Sequence, residues 1–356
     1  MGQIGGGKRT SYSPFVSTVE RSAAAGPASP SAARSSLLGV LFVLAAAGLF
    51  SINGTVSKLT LQSGLSSLRL VEIRCLGAAV IFIVIALLRD RGSMRTTWRE
   101  LGFLAVYGVV GLALVQWLYF VSIKRIPVSI SLLIEFTAPV LTALYVRFVR
   151  KAAVRSRVWA ALMLCLAGLA LVSQVWAGVT LDTLGVVTAG LAALSLATYY
   201  LLGEHGLGSR DPFSLAAWSF IAAAVFWALL QPWWTFPFDR LGQQVAIAAD
   251  PSTVGGPHAP VWTLVLYNIA LGTVAPFGLT LLGLTRIGAT RTGLVASAEP
   301  VLAGMVAYAV LDEVLTGWQV LGATLVMTGI VLAETSRPPA DQVAAAPAPA
   351  AEGTLG

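Results

Sequence analysis

The sequence predicts an all-α membrane protein of ten transmembrane helices arranged as two inverted five-helix repeats, and three observations lead there. Of 356 residues, 56% are hydrophobic and 11% charged, with a mean hydropathy of +0.80, whereas a soluble domain is about a quarter charged. The apolar residues fall in separate runs, each near the roughly 20 residues that a helix needs to cross about 30 Å of hydrocarbon. A shift of 161 residues aligns Arg125-Ile126 with Arg286-Ile287, Pro139-Val140-Leu141 with Pro300-Val301-Leu302, and Gly168 with Gly329, the mark of an internal duplication.

In chain order, residues 1–35 are rich in Gly, Ser, Ala and Pro, a composition expected to stay disordered. The first apolar run, 37–58, continues to Thr60 without an evident cleavage site and reads as a retained helix rather than a signal peptide. Further spans are expected at 67–88, 101–123, 126–149 and 158–178, which completes a first repeat over 36–178. Lys124, Arg125 and Pro127 mark a tight turn between the third and fourth. A second repeat over 179–335 holds spans at 183–203, 213–231, 261–284, 288–311 and 315–334, and the Pro-rich residues 336–356 form another disordered tail. Helix is the expected state throughout, because an open strand in lipid would leave backbone groups unpaired.

With both termini in the cytoplasm, the inner segments carry 17 Lys and Arg and the outer loops 3, a bias that sets this orientation in the cytoplasmic membrane. Five is an odd number of crossings, so the second repeat must enter upside down. The charges agree: the loop after the first proline helix holds Arg147, Arg150, Lys151, Arg155 and Arg157, and its counterpart holds Asp312 and Glu313. Orientation thus accounts for the net charge of +7, and no nucleic-acid partner is expected. Cys75 and Cys165 lie inside apolar runs, His205 and His258 lie outside them, and no HExxH, CxxC, GxSxG or P-loop occurs. Neither disulfide, metal nor cofactor is expected.

Particular segments carry a resemblance. Ser51-Ile52-Asn53 is followed by Lys58 in the first span, Glu72-Ile73-Arg74 opens the second, and Ile134-Glu135-Phe136-Thr137-Ala138-Pro139-Val140 crosses the fourth. The second half has Ala298-Glu299-Pro300-Val301, Leu311-Asp312-Glu313-Val314-Leu315, Gly322 and Gly329. Over residues 37–334 the chain resembles the EamA family of the drug/metabolite transporter superfamily. It departs from the family at Val149-Arg150-Lys151-Ala152, where a Leu-Gly-Glu turn is common. The resemblance implies a ten-helix inner-membrane carrier, often an exporter of amino acids or other metabolites, with a central pocket between its halves.

Glu135 and Glu299 lie well inside their spans, where a carboxylate costs about 2.5–3.5 kcal/mol on insertion scales. Each is either a protonated side chain bonded to a neighbouring helix or part of a pocket that carries protons or substrate. Pro139 and Pro300 leave the carbonyls of Glu135 and Ala296 without helical donors, which predicts kinks, and Pro276 is a third candidate. These kinks serve either packing or hinge motion. Polar stripes run through Ser131, Glu135 and Thr142, through Phe50, Asn53 and Ser57, and through Thr188, Ser195 and Tyr199. Interhelical hydrogen bonding and a substrate path both explain such stripes. Arg74 sits two turns inside the second span, reaching a headgroup, another helix or a substrate, and Arg69 can pair with Glu72 three residues on. Gln116 and Asn268 complete the polar candidates. Trp117, Tyr119, Phe120, Tyr199 and Tyr200 are candidates for a pocket wall, and Trp233 and Trp234 for an interfacial belt.

The expectation is a secondary carrier that moves a small-molecule substrate across the lipid bilayer by alternating access, with a coupling proton as a possible second cargo. Spans one, three, four, six, eight and nine are expected to line its pocket. The competing classes are a non-transporting receptor or scaffold and an intramembrane enzyme, and the latter lacks a converging nucleophile and base.

Overall fold

The computed structural model describes residues 30–126, 128–174, 182–246, 258–303, 305 and 316–335. Residues 1–29 and 336–356 of the expected disordered tails, Pro127, the end of the fifth span beyond Gln174 and the acidic turn around Asp312 lie outside the described residues. The first tail needs a correction: residues 30–35, expected to be disordered, already belong to the first helix. Ser35–Ser336 form one compact unit, which holds every span and the site between them. The other unit comprises Met1–Arg34 and Arg337–Gly356, of which only residues 30–34, the start of the first helix, are described.

The helices are α1 Pro30–Gln62, α2 Ser67–Arg89, α3 Trp98–Ile123, α4 Val128–Glu135, α5 Ala138–Phe148, α6 Ser156–Ser173, α7 Thr183–Leu207, α8 Pro212–Leu230, α9 Val261–Ala296 and α10 Gly317–Glu334. Their starts are written in the sequence. Ser66 and Asp182 accept from Arg69 N and Gly185 N at 3.2 and 2.8 Å, and Asp211 accepts from Ser214 N at 2.8 Å just ahead of Pro212. Thr316 and Gln319 form a capping box. Each such side chain satisfies amides that open a helix without partners.

Among the described residues, eight helices are long and apolar enough to cross a membrane, with α4 and α5 together making one of them, and Gly317–Ala333 is a shorter apolar helix. The longest, α9, covers the expected eighth span and the start of the ninth. Gly288 breaks it with φ 73°, a conformation open to glycine because it lacks a Cβ. The purely helical expectation needs one correction. Between α8 and α9, β1 (Gln244–Ala246) pairs antiparallel with β2 (His258–Pro260), with Val245 opposite Ala259. This ribbon lies in a connection outside the spans, where its edges can meet water.

Matching irregularities recur in the two halves. Turn residues Phe136-Thr137 separate α4 from α5 ahead of Pro139, and Ser297-Ala298 separate α9 from helical residues 299–303 around Pro300. The expected kinks are thus short breaks just upstream of each proline, where the missing amide removes a rung. α3 contains a π-helical segment, Tyr107–Leu114, and α9 contains Ala270–Val274; the 161-residue shift superimposes their centres.

Packing is reciprocal as well. α6 and α10 run antiparallel in close contact. A Cβ placed on Gly168 would stand 2.6 Å from Gly322 O, and one on Gly329 would stand 2.8 Å from Ala161 O. Ala161 and Gly322 are counterparts under the repeat, as are Gly168 and Gly329. Between these contacts Cys165 Sγ lies 3.7 Å from the carbonyl of Val326, its own counterpart. Similarly, Gly39 of α1 faces Arg286 Cβ and Ile287 Cγ2, while Gly185 of α7 faces Arg125 Cβ and Ile126 Cγ2. Small residues bring backbones this close where lipid gives helices no hydrophobic reason to associate.

Candidate functional site

A cavity of about 120 Å³ lies among α1, α2, α3, the α4–α5 break, α7 and both arms of α9. All six spans expected to line a pocket do so, and the second span joins them through Arg74. Of the expected pocket residues, Asn53, Arg74, Gln116, Tyr119, Glu135, Tyr199 and Glu299 line this one cavity. Tyr119 shares the lining with Arg74, Glu135 and Glu299. The remainder of the wall is largely apolar: Phe50 meets Phe277 edge-on at 5.3 Å between ring centres, and Phe277 meets Tyr199 at 5.6 Å. The cavity therefore presents one cation and two carboxyls within a small aromatic enclosure.

Arg74 is 3% exposed and held by the π segment of α9. Its Nε donates to Thr273 Oγ1 at 2.9 Å and its Nη2 to Gly272 O at 2.8 Å. Among the described residues it makes no ion pair. Asn53 Oδ1 and Gln116 Oε1, on two residues of the lining, are buried without a protein hydrogen-bond partner. Unpaired polar atoms are uncommon in native interiors, and two of them in this lining suit a site that receives polar ligand groups.

Two candidates lie elsewhere. Ser131 is fully buried, one turn before Glu135, and does not reach the cavity. Asn268 is also fully buried and its carboxamide is occupied: it accepts from Ser57 Oγ at 2.7 Å and donates to Thr60 Oγ1 at 3.0 Å and Leu264 O at 2.8 Å. None of the three prolines lines the cavity. Pro139 abuts Gly293, and Pro300 borders a separate apolar groove with Val320 and Met327. Pro276 leaves Gly272 O free for Arg74. Trp117 packs edge-on against Trp227 at 6.2 Å instead of walling the cavity. Arg69 and Glu72 do pair, at 2.7 Å. Sequence reasoning missed Phe136, Phe277 and Thr280 in the lining and Thr273 behind Arg74; the one available signal was the carbonyl that Pro276 leaves without a donor.

The model of the EamA-like transporter family matches residues 37–174 and again 183–335. The chain belongs to that family. The tandem match shows that it carries two EamA units, and with the apolar helices it shows a multi-pass membrane protein of the transporter type. An uncharacterized transporter of Bacillus subtilis (strain 168), YwfM, is 27% identical over 294 residues, covering 82% of this chain and 92% of the relative. The threonine/homoserine exporter RhtA of Salmonella typhimurium (strain SL1344) is 27% identical over 224 residues, 61% of this chain and 66% of the exporter. A crystal structure with 19% sequence identity superposes with a TM-score of 0.65, covering 83% of this chain and 96% of that one, and shares the fold.

Proposed function

We propose that this protein is a secondary carrier that exports small organic metabolites, amino acids or close relatives among them, across the cytoplasmic membrane by alternating access. The observation that carries this reading is the cavity itself: groups from both EamA units converge on it, with Arg74 and Glu135 from the first and Tyr199 and Glu299 from the second. A site built between two units opens to one side or the other as the units rock. The exporter RhtA supports the direction of transport and the amino-acid class.

Reciprocal packing supports an inverted arrangement of the units. Antiparallel helices that exchange counterpart contacts, as α6 and α10 do at Gly168–Gly322 and Ala161–Gly329, are related by a two-fold axis across them. Such an axis lies in the membrane plane when the helices cross the bilayer, and the unequal charge of the inner and outer segments supports an orientation with both termini in the cytoplasm. Glu135 is the proposed proton carrier: a carboxyl at this depth is costly unless it is functional or bonded, and it faces the cavity.

The test is flux. Purified protein in sealed vesicles, loaded with labelled amino acids and then with broader metabolite extracts, is expected to release a subset faster than empty vesicles and to respond to an imposed pH gradient. Vesicles that retain every solute tested, with correctly folded protein present, would remove the carrier reading in favour of a receptor.

A further inference from the structure

What surrounds Arg74 originates in one proline. Pro276 has no amide hydrogen, so Gly272 O, four residues earlier, loses its helical donor. α9 widens there into the π segment Ala270–Val274, and the guanidinium takes the free carbonyl. Thr273 Oγ1 accepts from Arg74 Nε and itself donates to Asn268 O, five residues back, at 2.7 Å, closing the π turn. Asn268 is in turn pinned to α1 by Ser57 and Thr60. The Phe120 ring centre lies 5.7 Å from the guanidinium carbon. All of these partners are neutral.

A cation held 97% out of solvent without an anion is strongly unfavourable. The two bonds to α9 use two of the five N–H donors a guanidinium offers, and that planar fork matches a carboxylate. We infer that Arg74 is the carboxylate-binding group for the transported solute and that Thr273 is the positioning residue that aims it into the cavity. This rests on the carrier reading above and narrows its substrate to solutes that present a carboxylate.

Binding to the full-length protein in detergent tests this separately from transport, with thermal melting as the readout and sodium acetate, glycine, acetamide and inorganic phosphate as probes. Acetate and glycine are expected to raise the melting temperature saturably, acetamide to leave it unchanged, and phosphate to do no more than chloride. Arg74→Gln should abolish the response. Arg74→Lys, which keeps the charge but loses the fork, should weaken it about tenfold, and it serves as the reporter should the Gln variant fail to fold. Thr273→Val, which removes the hydroxyl and keeps the shape, should also weaken it about tenfold, the loss of one charged hydrogen bond. Thr273→Ser should restore it. In vesicles Thr273→Val should raise KM by a larger factor than it lowers maximal flux, and Thr273→Ser should transport like the wild type.

Equal responses to acetate and acetamide, a stronger response to phosphate, or an acetate response that persists in Arg74→Gln or stays undiminished in Arg74→Lys would each overturn the assignment of Arg74. Wild-type affinity in Thr273→Val would overturn the positioning role. Carboxylate binding without flux of any solute would leave this inference standing and remove the carrier reading.

Discussion

Gly168→Ala adds one methyl where α6 and α10 meet backbone to backbone. The new carbon would stand 2.6 Å from Gly322 O and 2.8 Å from Val326 N, whereas non-bonded heavy atoms settle at about 3.5–4.0 Å. Neither neighbour can swing aside, because both belong to helical backbone, so the helices must separate by roughly 1 Å. That separation also loosens the Cys165–Val326 and Ala161–Gly329 contacts on the same seam. Overpacking by a methyl costs about 1–3 kcal/mol, and in chains above about 150 residues each kcal/mol moves the melting temperature by about 2–4 °C. The expected fall is therefore roughly 2–12 °C in a thermal melt of purified protein. Gly190→Ala is the control: nothing lies within 4 Å of the added carbon, and alanine is the better helix former, so melting should hold or rise slightly. If the two variants melt alike, the seam between α6 and α10 is not the close-packed junction described.

Glu135→Gln should keep the fold and the expression level while flux loses its response to a pH gradient; a response equal to wild type would take Glu135 out of proton coupling. Cysteine at Ser156 should be shielded from an impermeant thiol reagent outside intact cells, and cysteine at Gln243 should react, while Cys75 and Cys165 are buried; the opposite labelling would reverse the orientation. The Arg210 side chain, 6% exposed, pairs with Glu100 and donates to Ser93 O at 3.0 Å and Arg95 O at 2.7 Å. Arg210→Leu should therefore destabilise by at least about 1.5–3 kcal/mol, read as a lower melting temperature, and unchanged melting would mean that this junction of α3 with α8 is slack.

Eight of the spans were legible because lipid imposes a length and an apolar composition that few other sequences meet. Three residues of the lining were legible for a related reason: a charged side chain inside a span is costly, so Glu135, Glu299 and Arg74 stood out by position alone. Stripe arguments did less well. Ser131 shares a helical face with Glu135, yet its neighbour Leu132 lines the cavity and Ser131 does not, because a polar stripe marks the face of a helix that meets protein and not the bearing of the cavity within that face. Asn268 stood out for its polarity, but Ser57 and Thr60 claim it, a contact across 208 residues of chain for Thr60 that no local pattern announces. The π segments left no trace beyond a proline and its neighbouring glycines, since widening a helix by one residue changes no composition. Phe277 and Thr280 went unnoticed because an apolar ring or a hydroxyl in a membrane helix is ordinary.

Gly288 separates the α9 arm that holds Arg74 from the arm that leads to Glu299. Phe277 and Thr280 before the break, and Ala296 and Glu299 after it, face the same cavity, so the chain doubles back at a single residue. Ala289 N donates to Glu204 Oε1 at 3.0 Å, and Glu204 also pairs with Arg150 at 2.6 Å, which ties the bend to α7 and to the residues following α5. The placing of Glu299 relative to the α9 segment that anchors Arg74 thus passes through one tethered bend. Lengthening that bend by even one residue would act as a change of gauge, shifting Glu299 against that anchor while leaving the other groups of the cavity on their own helices.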